Sequence, residues 1–296
     1  MRIVVTGANS NVGCNLLGHI ADAADVTAVA CARSAKALAT LPAAQNIETA
    51  RLDYADDAGL AAIVSGADAI VHLAGVLFEG KGTSYTGANV DTTAAVVAAA
   101  QAGGVGHVIF ISALGAAAGS ANGYFRSKGE AEDIVLASGL KGTIIRTPML
   151  LGPGSAAATA LVKTAQRRRA FVLGGGRQML RPLDLDDLSG AILLACKHPP
   201  AETVIHELTG PEALTQRALM QRVAGMLGHE LRIVALPIWS AKLAAGLIRA
   251  LRGAGVSPAV IDVITAAEQI HHNADADLGL TLTPLDDTLR KFVTAA

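Results

Sequence analysis

The first half of the chain alternates between short apolar strands and longer helical stretches. Apolar runs, mostly rich in β-branched residues, occupy 3–6, 26–30, 69–74, 107–112 and 143–146. Alanine- and leucine-rich stretches with helical spacing lie between them at 11–21, 57–64, 88–102 and 124–138. Apolar strands that alternate with helices are typical of a parallel sheet covered on both faces. The pattern predicts an α/β fold with a doubly wound sheet, which binds ligands at the carboxyl ends of its strands.

A different pattern begins after residue 150, where the turn sequences LGPG (151–154) and LGGG (173–176) interrupt the alternation. Helical patterns then occupy 215–227, 238–252 and 257–270, and strand patterns occupy 204–210 and 231–237. We predict a dinucleotide-binding domain at 1–150, to which 177–200 returns. A smaller, mixed α/β C-terminal lobe formed by 151–176 and 201–296 is expected to bind the substrate.

Composition and charge limit the partners of this chain. Its 296 residues are 51% hydrophobic and 17% charged, and the net charge is −1. This favours a well-buried globular protein and gives no electrostatic case for nucleic acid. The cysteines Cys14, Cys31 and Cys196 have no metal-type spacing, so no metal is expected. We find neither a secretory signal nor an apolar run long enough to span a bilayer, and we expect a cytoplasmic protein.

The segment after the first strand has the features of a phosphate-binding loop. It reads GANSNVG and consists of Gly7, Ala8, Asn9, Ser10, Asn11, Val12 and Gly13. Gly7 suits a tight turn out of the strand, and Gly13 suits close packing of the following helix on that strand. The helix N-terminus supplies free N–H groups for a pyrophosphate. The alternative is a simple strand–turn–helix connection that binds nothing.

The end of the second strand indicates which dinucleotide binds. NAD sites place an acidic residue there for the ribose hydroxyls, whereas this chain has Arg33 and Ser34. A guanidinium can pair with a 2′-phosphate through two parallel hydrogen bonds. We expect NADP(H) to be preferred, with NAD(H) as the alternative.

Two further strand ends contribute candidates for cofactor binding. Asp53 suits either a hydrogen bond from the adenine amino group or a helix N-cap. Leu73, Ala74 and Gly75 are small or apolar residues against which a ribose can lie. His72 lies in an apolar strand, and we expect a hydrogen-bonded core residue rather than a catalyst.

Tyr124 and Lys128 form the clearest catalytic pattern. They are four residues apart on a predicted helix and therefore share one face. A nearby ammonium favours the phenolate and lowers the pKa of a tyrosine. Ser112 ends the preceding strand, where its hydroxyl can hold a substrate carbonyl. Hydride transfer at a nicotinamide needs such a partner for proton exchange.

These motifs together resemble the short-chain dehydrogenase/reductase family, in its extended or atypical branch. The TGxxxxxG opening, the YxxxK pair, Asn89, RTPMLLGPG (146–154) and RPLDLDDLSGAIL (181–193) carry the resemblance. ISALGA, YFRSKGEAE and the tail are similar to bacterial relatives of the NAD(P)-binding accessory subunit of respiratory complex I. The resemblance implies a Rossmann-like sheet and bound NAD(P)(H). It also implies that Tyr124 is the acid/base, that Lys128 contacts the nicotinamide ribose, that Ser112 orients the substrate, and that Asn89 and Pro148 belong to the cofactor site.

Two positions depart from the family pattern. Ser10 stands where the extended branch has its middle glycine, which weakens the case for a sugar-nucleotide epimerase. Either Ser112 or Ala113 occupies the catalytic serine position, and the spacing to Tyr124 favours Ser112. If Ala113 is the equivalent residue, the site lacks its carbonyl donor and only binds cofactor.

The sequence of the lobe favours an apolar substrate, with Arg177 and Arg181 as candidates to bind one anionic group. Its predicted surface segments are apolar and contain few cations to neutralise a diphosphate. We predict an NAD(P)H-dependent oxidoreductase that acts on a small, apolar carbonyl or alcohol, as a monomer or homodimer. The alternatives are a non-catalytic NADPH-binding scaffold or assembly factor and a sugar-nucleotide epimerase or dehydratase.

Two surface features of the lobe admit more than one interpretation. The helix predicted at 238–252 carries apolar residues at near-helical spacing, namely Trp239, Leu243, Leu247 and Leu251. Core or lid packing is the favoured interpretation, and interfacial attachment to a membrane is the other. Arg167, Arg168 and Arg169 form the one dense basic patch, which is typical of a solvated helix end.

Overall fold

The computed structural model describes residues 1–80, 82–252 and 258–293. The strands are β1 (Arg2–Thr6), β2 (Thr27–Ala32), β3 (Ile47–Arg51), β4 (Ala69–His72), β5 (His107–Ala113), β6 (Lys141–Thr147), β7 (Leu150–Leu151), β8 (Arg169–Leu173), β9 (Met179–Leu180), β10 (Leu183–Asp184), β11 (Val204–Glu207), β12 (Leu214–Thr215) and β13 (Arg232–Leu236). The helices are α1 (Asn11–Ala21), α2 (Ala35–Leu38), α3 (Asp57–Val64), α4 (Thr92–Ala102), α5 (Gly123–Ala137), α6 (Ala156–Ala165), α7 (Leu185–Lys197), α8 (Gln216–Met226), α9 (Ile238–Arg252), α10 (Pro258–Thr265) and α11 (Leu285–Val293). A π-helical segment, Thr86–Asp91, leads directly into α4.

Seven strands form the main sheet, in the order β11-β6-β5-β4-β1-β2-β3. Every neighbouring pair in this sheet is parallel. The strand order reverses between β1 and β4, so their carboxyl ends open a crevice at the switch point. The predicted α/β fold with a Rossmann-like, doubly wound sheet is confirmed.

Helices cover both faces of this sheet because its strands are apolar on both sides. On one face, Leu16 and Ile20 of α1 pack with Leu188 and Ile192 of α7. On the other face, the side chains of α3, α4 and α5 pack against β1, β4 and β5 in two adjoining clusters. Since α7 lies in segment 177–200, that segment returns to the sheet domain after the chain has entered the lobe.

One strand lies elsewhere than the sequence boundaries placed it. The predicted boundaries place the strand pattern at 204–210 in the C-terminal lobe, but Val204–Glu207 form the edge of the main sheet and run parallel to β6. The physical reason is that Val204–Glu207 pair with the backbone of β6, whose Ile144 and Ile145 are fully buried, so that its backbone groups need hydrogen-bond partners. The predicted start of the last lobe segment at residue 201 therefore lies too early in the chain, before the last strand of the main sheet.

The lobe has its own apolar core. Side chains from α6, α8 and α11 pack with those of β8 in one buried cluster, which includes Leu161, Val172, Leu219 and Leu289. A parallel pair of strands, β8 and β13, borders this cluster. Within the described ranges, no helix has the length and hydropathy needed to cross a membrane.

The packing of α7 on α1 predicts a large effect of one substitution. Leu188→Ala removes a side chain that is 0% exposed, so we expect the free energy of unfolding to fall by about 2–5 kcal/mol. Leu136→Ala is the matched control, because Leu136 is 44% exposed on α5, and it should change the same quantity by less than about 1 kcal/mol. Urea denaturation followed by circular dichroism measures both. Equal losses in the two variants would contradict the proposed return of 177–200 to the sheet domain.

Candidate active site

The loop between β1 and α1 allows no side chain at either of its glycines. Gly7 has a φ of +68°, and a Cβ there would lie 2.7 Å from the backbone nitrogen of Ala74. A Cβ on Gly13 would lie 2.3 Å from the carbonyl oxygen of Ala8. Both distances are far below van der Waals contact. The backbone of the loop is therefore in direct contact with the segment after β4 on one side and with α1 on the other. This is the arrangement that the glycine spacing predicts.

Ser10 begins α1 as its N-cap residue. Its Oγ accepts a hydrogen bond from Gly13 N at 3.0 Å, which still leaves the hydroxyl proton available for donation. The backbone N–H groups of Asn11 and Val12 make no hydrogen bond within the described part of the chain. Free N–H groups at the positive end of a helix form an anion site. Serine at position 10 therefore stabilises the loop and leaves the pyrophosphate site accessible.

A pocket opens beside this loop at the carboxyl ends of β1, β2, β3 and β4. The predicted residues that line it are Gly7, Asn9, Ser10, Arg33, Leu73, Ala74 and Gly75. Sequence reasoning missed Cys31, Ala32, Leu52, Tyr54, Val76, Ala88 and Thr92, which also line it. Three of the seven missed residues, Cys31, Ala32 and Leu52, lie within two positions of a strand's carboxyl end, and that position is the signal that could have found them. The pocket has the location that dinucleotide sites take in this type of sheet.

Several predicted cofactor residues do not line this pocket. Ser34 caps α2 by accepting a hydrogen bond from Ala37 N at 3.2 Å. Asp53 is exposed and accepts from Ala55 N at 3.0 Å, whereas the N-cap of α3 is Asp56. Thus the N-cap role considered for Asp53 belongs to Asp56, because the helix begins three residues later than that role required.

The remaining loop residues support the pocket from behind or from its rim. Ala8 is buried and its N–H donates to Cys31 O at 3.1 Å, while Val12 packs against the sheet core. Asn11 is exposed, and its Nδ2 donates to Gly154 O at 2.6 Å, which joins the loop to the first turn of the lobe. Pro148 lies between β6 and β7, at the carboxyl end of β6.

Asn89 connects the end of β4 to the helix that carries the catalytic candidates. It is 1% exposed and lies in the π-helical segment before α4. Its Oδ1 accepts from Val76 N at 2.8 Å, and its Nδ2 donates to Ser127 Oγ at 2.9 Å. Because both ends of the amide are engaged by protein groups, this geometry gives Asn89 a positioning role between the cofactor pocket and α5.

His72 is a hydrogen-bonded core residue, as expected. It is 0% exposed, with Nδ1 2.7 Å from Thr6 Oγ1 and Nε2 3.2 Å from Thr93 Oγ1. Burial, together with the positive charge of Lys128, lowers the pKa of His72 to about 3. The imidazole is therefore neutral at ordinary pH and links β1, β4 and α4.

Lys128 is buried at the carboxyl end of β5. Its Nζ donates to Ile111 O at 2.6 Å and lies 4.1 Å from the centroid of the Phe110 ring. Burial lowers the pKa of Lys128 to about 7, against a smaller opposing effect of Glu132. The amine thus has a carbonyl and a cation–π contact but no carboxylate within ion-pair distance in the described ranges.

Tyr124 lies in the first turn of α5, which Asn122 caps by accepting from Tyr124 N at 3.0 Å. The phenol ring lies 6.0 Å from the ring of Tyr85. Burial, and secondarily Tyr85, raise the pKa of Tyr124 to about 12. The expected lowering of this pKa by Lys128 is therefore wrong for this structure, because the ammonium is held by Ile111 and Phe110 and the phenol is desolvated.

Ser112 carries a buried hydroxyl without a partner. It is 4% exposed, and its Oγ makes no hydrogen bond within the described residues. Side chains alternate along a strand, so Ser112 shares a face with Phe110, over which Lys128 Nζ lies. Ala113 belongs to the opposite face. A buried hydroxyl that lacks a partner is costly and indicates a missing ligand or water.

The fold and this crevice define a dinucleotide-binding protein, and comparison with known families agrees. The chain belongs to the NAD(P)H-binding family, whose model matches residues 7–172. The predicted resemblance to the short-chain dehydrogenase/reductase family is confirmed. The chain is thus an NAD(P)H-binding protein of the oxidoreductase type.

Individual relatives are distant. A ceramide reductase of Caulobacter vibrioides is 24% identical over 225 residues, which cover 76% of this chain and 71% of that protein. The mitochondrial NADH dehydrogenase (ubiquinone) 1 alpha subcomplex subunit 9 of Arabidopsis thaliana is 27% identical over 196 residues, which cover 65% of this chain and 48% of that subunit. The solved structure of MoeE5 in complex with UDP-glucuronic acid and NAD has a TM-score of 0.77 at 18% identity, over 99% of this chain and 98% of that chain. This last likeness concerns the fold.

The two glycines of α1 give a matched test of the loop. Gly13→Ala places a methyl group 2.3 Å from Ala8 O, so the helix must move away from the loop. We expect the affinity for NADPH to fall about tenfold or more, with a loss of stability. Gly18→Ala is the control, since a Cβ there meets no atom within 4 Å, and it should leave the affinity unchanged. Fluorescence titration with NADPH measures both affinities, and unchanged binding in Gly13→Ala would contradict the assignment.

Proposed function

We propose that this protein is an NADP(H)-dependent reductase that acts on an apolar carbonyl substrate. The observation that carries the proposal is the partnerless hydroxyl of Ser112, buried on the face of β5 that also holds Lys128. A carbonyl oxygen bound there would satisfy the hydroxyl. The pocket at the loop between β1 and α1 is not lined by Ser112, Tyr124 or Lys128. Since β5 is the neighbour of β4 in the sheet, a cofactor that extends from that pocket along the carboxyl edge would meet the substrate at β5.

The residues present fit a dinucleotide. The N–H groups at the start of α1 would bind the pyrophosphate, and Gly7, Ala74 and Gly75 would allow the backbone to approach it closely. Arg33 is exposed at the end of β2 and lines the pocket, where it would pair with a 2′-phosphate. When bound, the nicotinamide supplies a hydride.

The protein groups around Ser112 would then handle the substrate oxygen. Ser112 Oγ would donate a hydrogen bond to that oxygen and orient it. Tyr124, with its pKa raised to about 12, keeps its proton near neutral pH and would transfer it to the oxygen as the oxygen gains negative charge. The protonated phenol is the form that the reduction step requires. Lys128 would hold the nicotinamide ribose.

The chemistry of the lobe supports an apolar substrate. The lobe segments 149–152, 171–173 and 237–251 contain few cations that could neutralise a charged substrate. The Caulobacter vibrioides relative is named for its action on a ceramide, which is an apolar substrate class. We propose a hydrophobic ketone or a related carbonyl compound for this chain as well.

Replacing the phenol should separate binding from turnover. Tyr124→Phe removes only the proton donor, so NADPH affinity should stay within about twofold while reductase turnover falls about 100-fold or more. Turnover is followed as oxidation of NADPH with a panel of hydrophobic ketones. Ser112→Ala should also lower turnover without loss of NADPH binding. Full turnover in Tyr124→Phe would overturn the catalytic assignment, and NADPH binding without turnover of any ketone by the wild type would instead support a scaffold.

The preference for NADP(H) rests on Arg33. Arg33→Ala should weaken NADPH binding about 10- to 100-fold and leave NADH binding nearly unchanged, because only NADPH carries the 2′-phosphate. Arg51→Ala is the control, since Arg51 is exposed at the end of β3 and does not line the pocket. Calorimetric titration with NADPH and with NADH measures the affinity of each variant for both cofactors. Equal losses for NADPH and NADH in Arg33→Ala would contradict 2′-phosphate recognition.

A further inference from the structure

One face of the lobe carries apolar side chains that its core does not cover. In the parallel pair of β8 and β13, the opposed residues are Arg169 and Arg232, Phe171 and Val234, and Leu173 and Leu236. These six share one face, because side chains alternate along a strand and Ala170 and Val172 point into the lobe core. The outward face is therefore basic at its first residue pair and apolar along the rest.

Helix α9, which follows β13, carries further exposed apolar side chains. Its first residue, Ile238, follows β13 closely and lies beside the end of β8, since a Cβ on Gly174 would be 3.2 Å from Ile238 Cδ1. Trp239 and Leu243 are four residues apart and share a helix face, with exposed fractions of 70% and 69%. Of the core or lid packing predicted for these two side chains, burial in the core is wrong, and a lid role stays a prediction. The side chains of Leu247 and Leu251 lie outside the described residues. We call Phe171, Val234, Leu236, Trp239 and Leu243 the apolar face.

Arginines border the apolar face at the end away from α9. The exposed members are Arg167, Arg168, Arg169 and Arg232. They are adjacent across the strand pair, because Arg232 N donates to Arg168 O at 3.0 Å. Within the described ranges, none of them forms an ion pair with a carboxylate. The net charge of the chain is −1, so this positive potential is local to the lobe.

We propose that this surface docks on an anionic lipid bilayer. Exposed aromatic and leucine side chains can enter the boundary between headgroups and acyl chains, and the tryptophan ring suits that depth. The arginines would meet the lipid phosphates, each adding to the attraction. A second copy of the chain fits this surface less well, because lipid phosphates can meet all four arginines, whereas Glu230, the exposed carboxylate nearest to them in sequence, supplies a single charge to a symmetric partner.

The proposed membrane surface is connected to the candidate active site through α10. Lys242 of α9 forms an ion pair with Asp262 of α10. At the start of α10, Asn122 Nδ2 donates to Ala259 O at 2.8 Å, and Asn122 caps the helix that carries Tyr124. Docking would thus place the lobe, and through α10 the helix that carries Tyr124, close to a source of apolar molecules. The docking proposal itself does not depend on catalysis.

The single tryptophan of the chain, Trp239, reports on the proposal directly. The full-length protein is mixed with vesicles of phosphatidylcholine alone or of phosphatidylcholine with phosphatidylglycerol. With the anionic vesicles we expect a blue shift of Trp239 fluorescence and co-flotation of the protein, both weakened by added salt. With neutral vesicles both signals should be much smaller.

Two sets of variants, each with a control, test which residues are responsible for binding to anionic vesicles. Arg168→Gln and Arg169→Gln should each weaken vesicle binding roughly fivefold, whereas Arg51→Gln should not. Phe171→Ser combined with Leu243→Ser should abolish the blue shift, whereas Leu136→Ser should keep it. Thermal melts check that every variant is folded. The proposal is overturned if the protein does not float with anionic vesicles, or if all variants bind them equally. It is also overturned by a blue shift that needs no lipid and accompanies a doubled mass in light scattering, because that result would assign the face to a dimer.

Discussion

The site depends on one constraint, which is close backbone contact. The loop after β1 touches the elements on either side of it. A side chain at Gly7 would collide with Ala74, and one at Gly13 would collide with Ala8. Because both positions are bare, α1 starts directly at the carboxyl edge of the sheet with free N–H groups. The ends of β2, β3 and β4 then form the rest of the pocket around that edge. Without this close approach, the strands would bring the same residues together, but there would be no anion site between them.

A second group of interactions holds the catalytic candidates in place. Glu132 lies one helical turn after Lys128 and is 3% exposed. Both of its oxygens accept hydrogen bonds from Arg146, at 2.9 and 2.6 Å. Arg146 is the β6 neighbour of Ser112, so the ion pair fixes α5 to the strand pair that carries the serine. A buried, bidentate pair of this kind is costly to break, because removing either partner leaves a buried charge.

The sequence predicted the parts of the structure that depend on local pattern. The strand–loop–helix unit at Gly7–Gly13, the parallel sheet and helix α9 (Ile238–Arg252) follow from periodicity and glycine spacing. The sequence did not predict features that depend on distant contacts. Edge pairing of Val204–Glu207 with β6, the exposure of Trp239 and the high pKa of Tyr124 depend on packing between segments far apart in the chain. The roles of Ser112, Tyr124 and Lys128 in turnover stay predictions.

The most direct test of the central claim is a crystal structure of the protein grown with NADPH. The account predicts that the pyrophosphate lies over the N–H groups of Asn11 and Val12, with the 2′-phosphate against Arg33 and the nicotinamide beside Lys128 and Ser112. If the crevice stayed empty at saturating NADPH, or if the dinucleotide bound elsewhere on the chain, the account of this site would be contradicted.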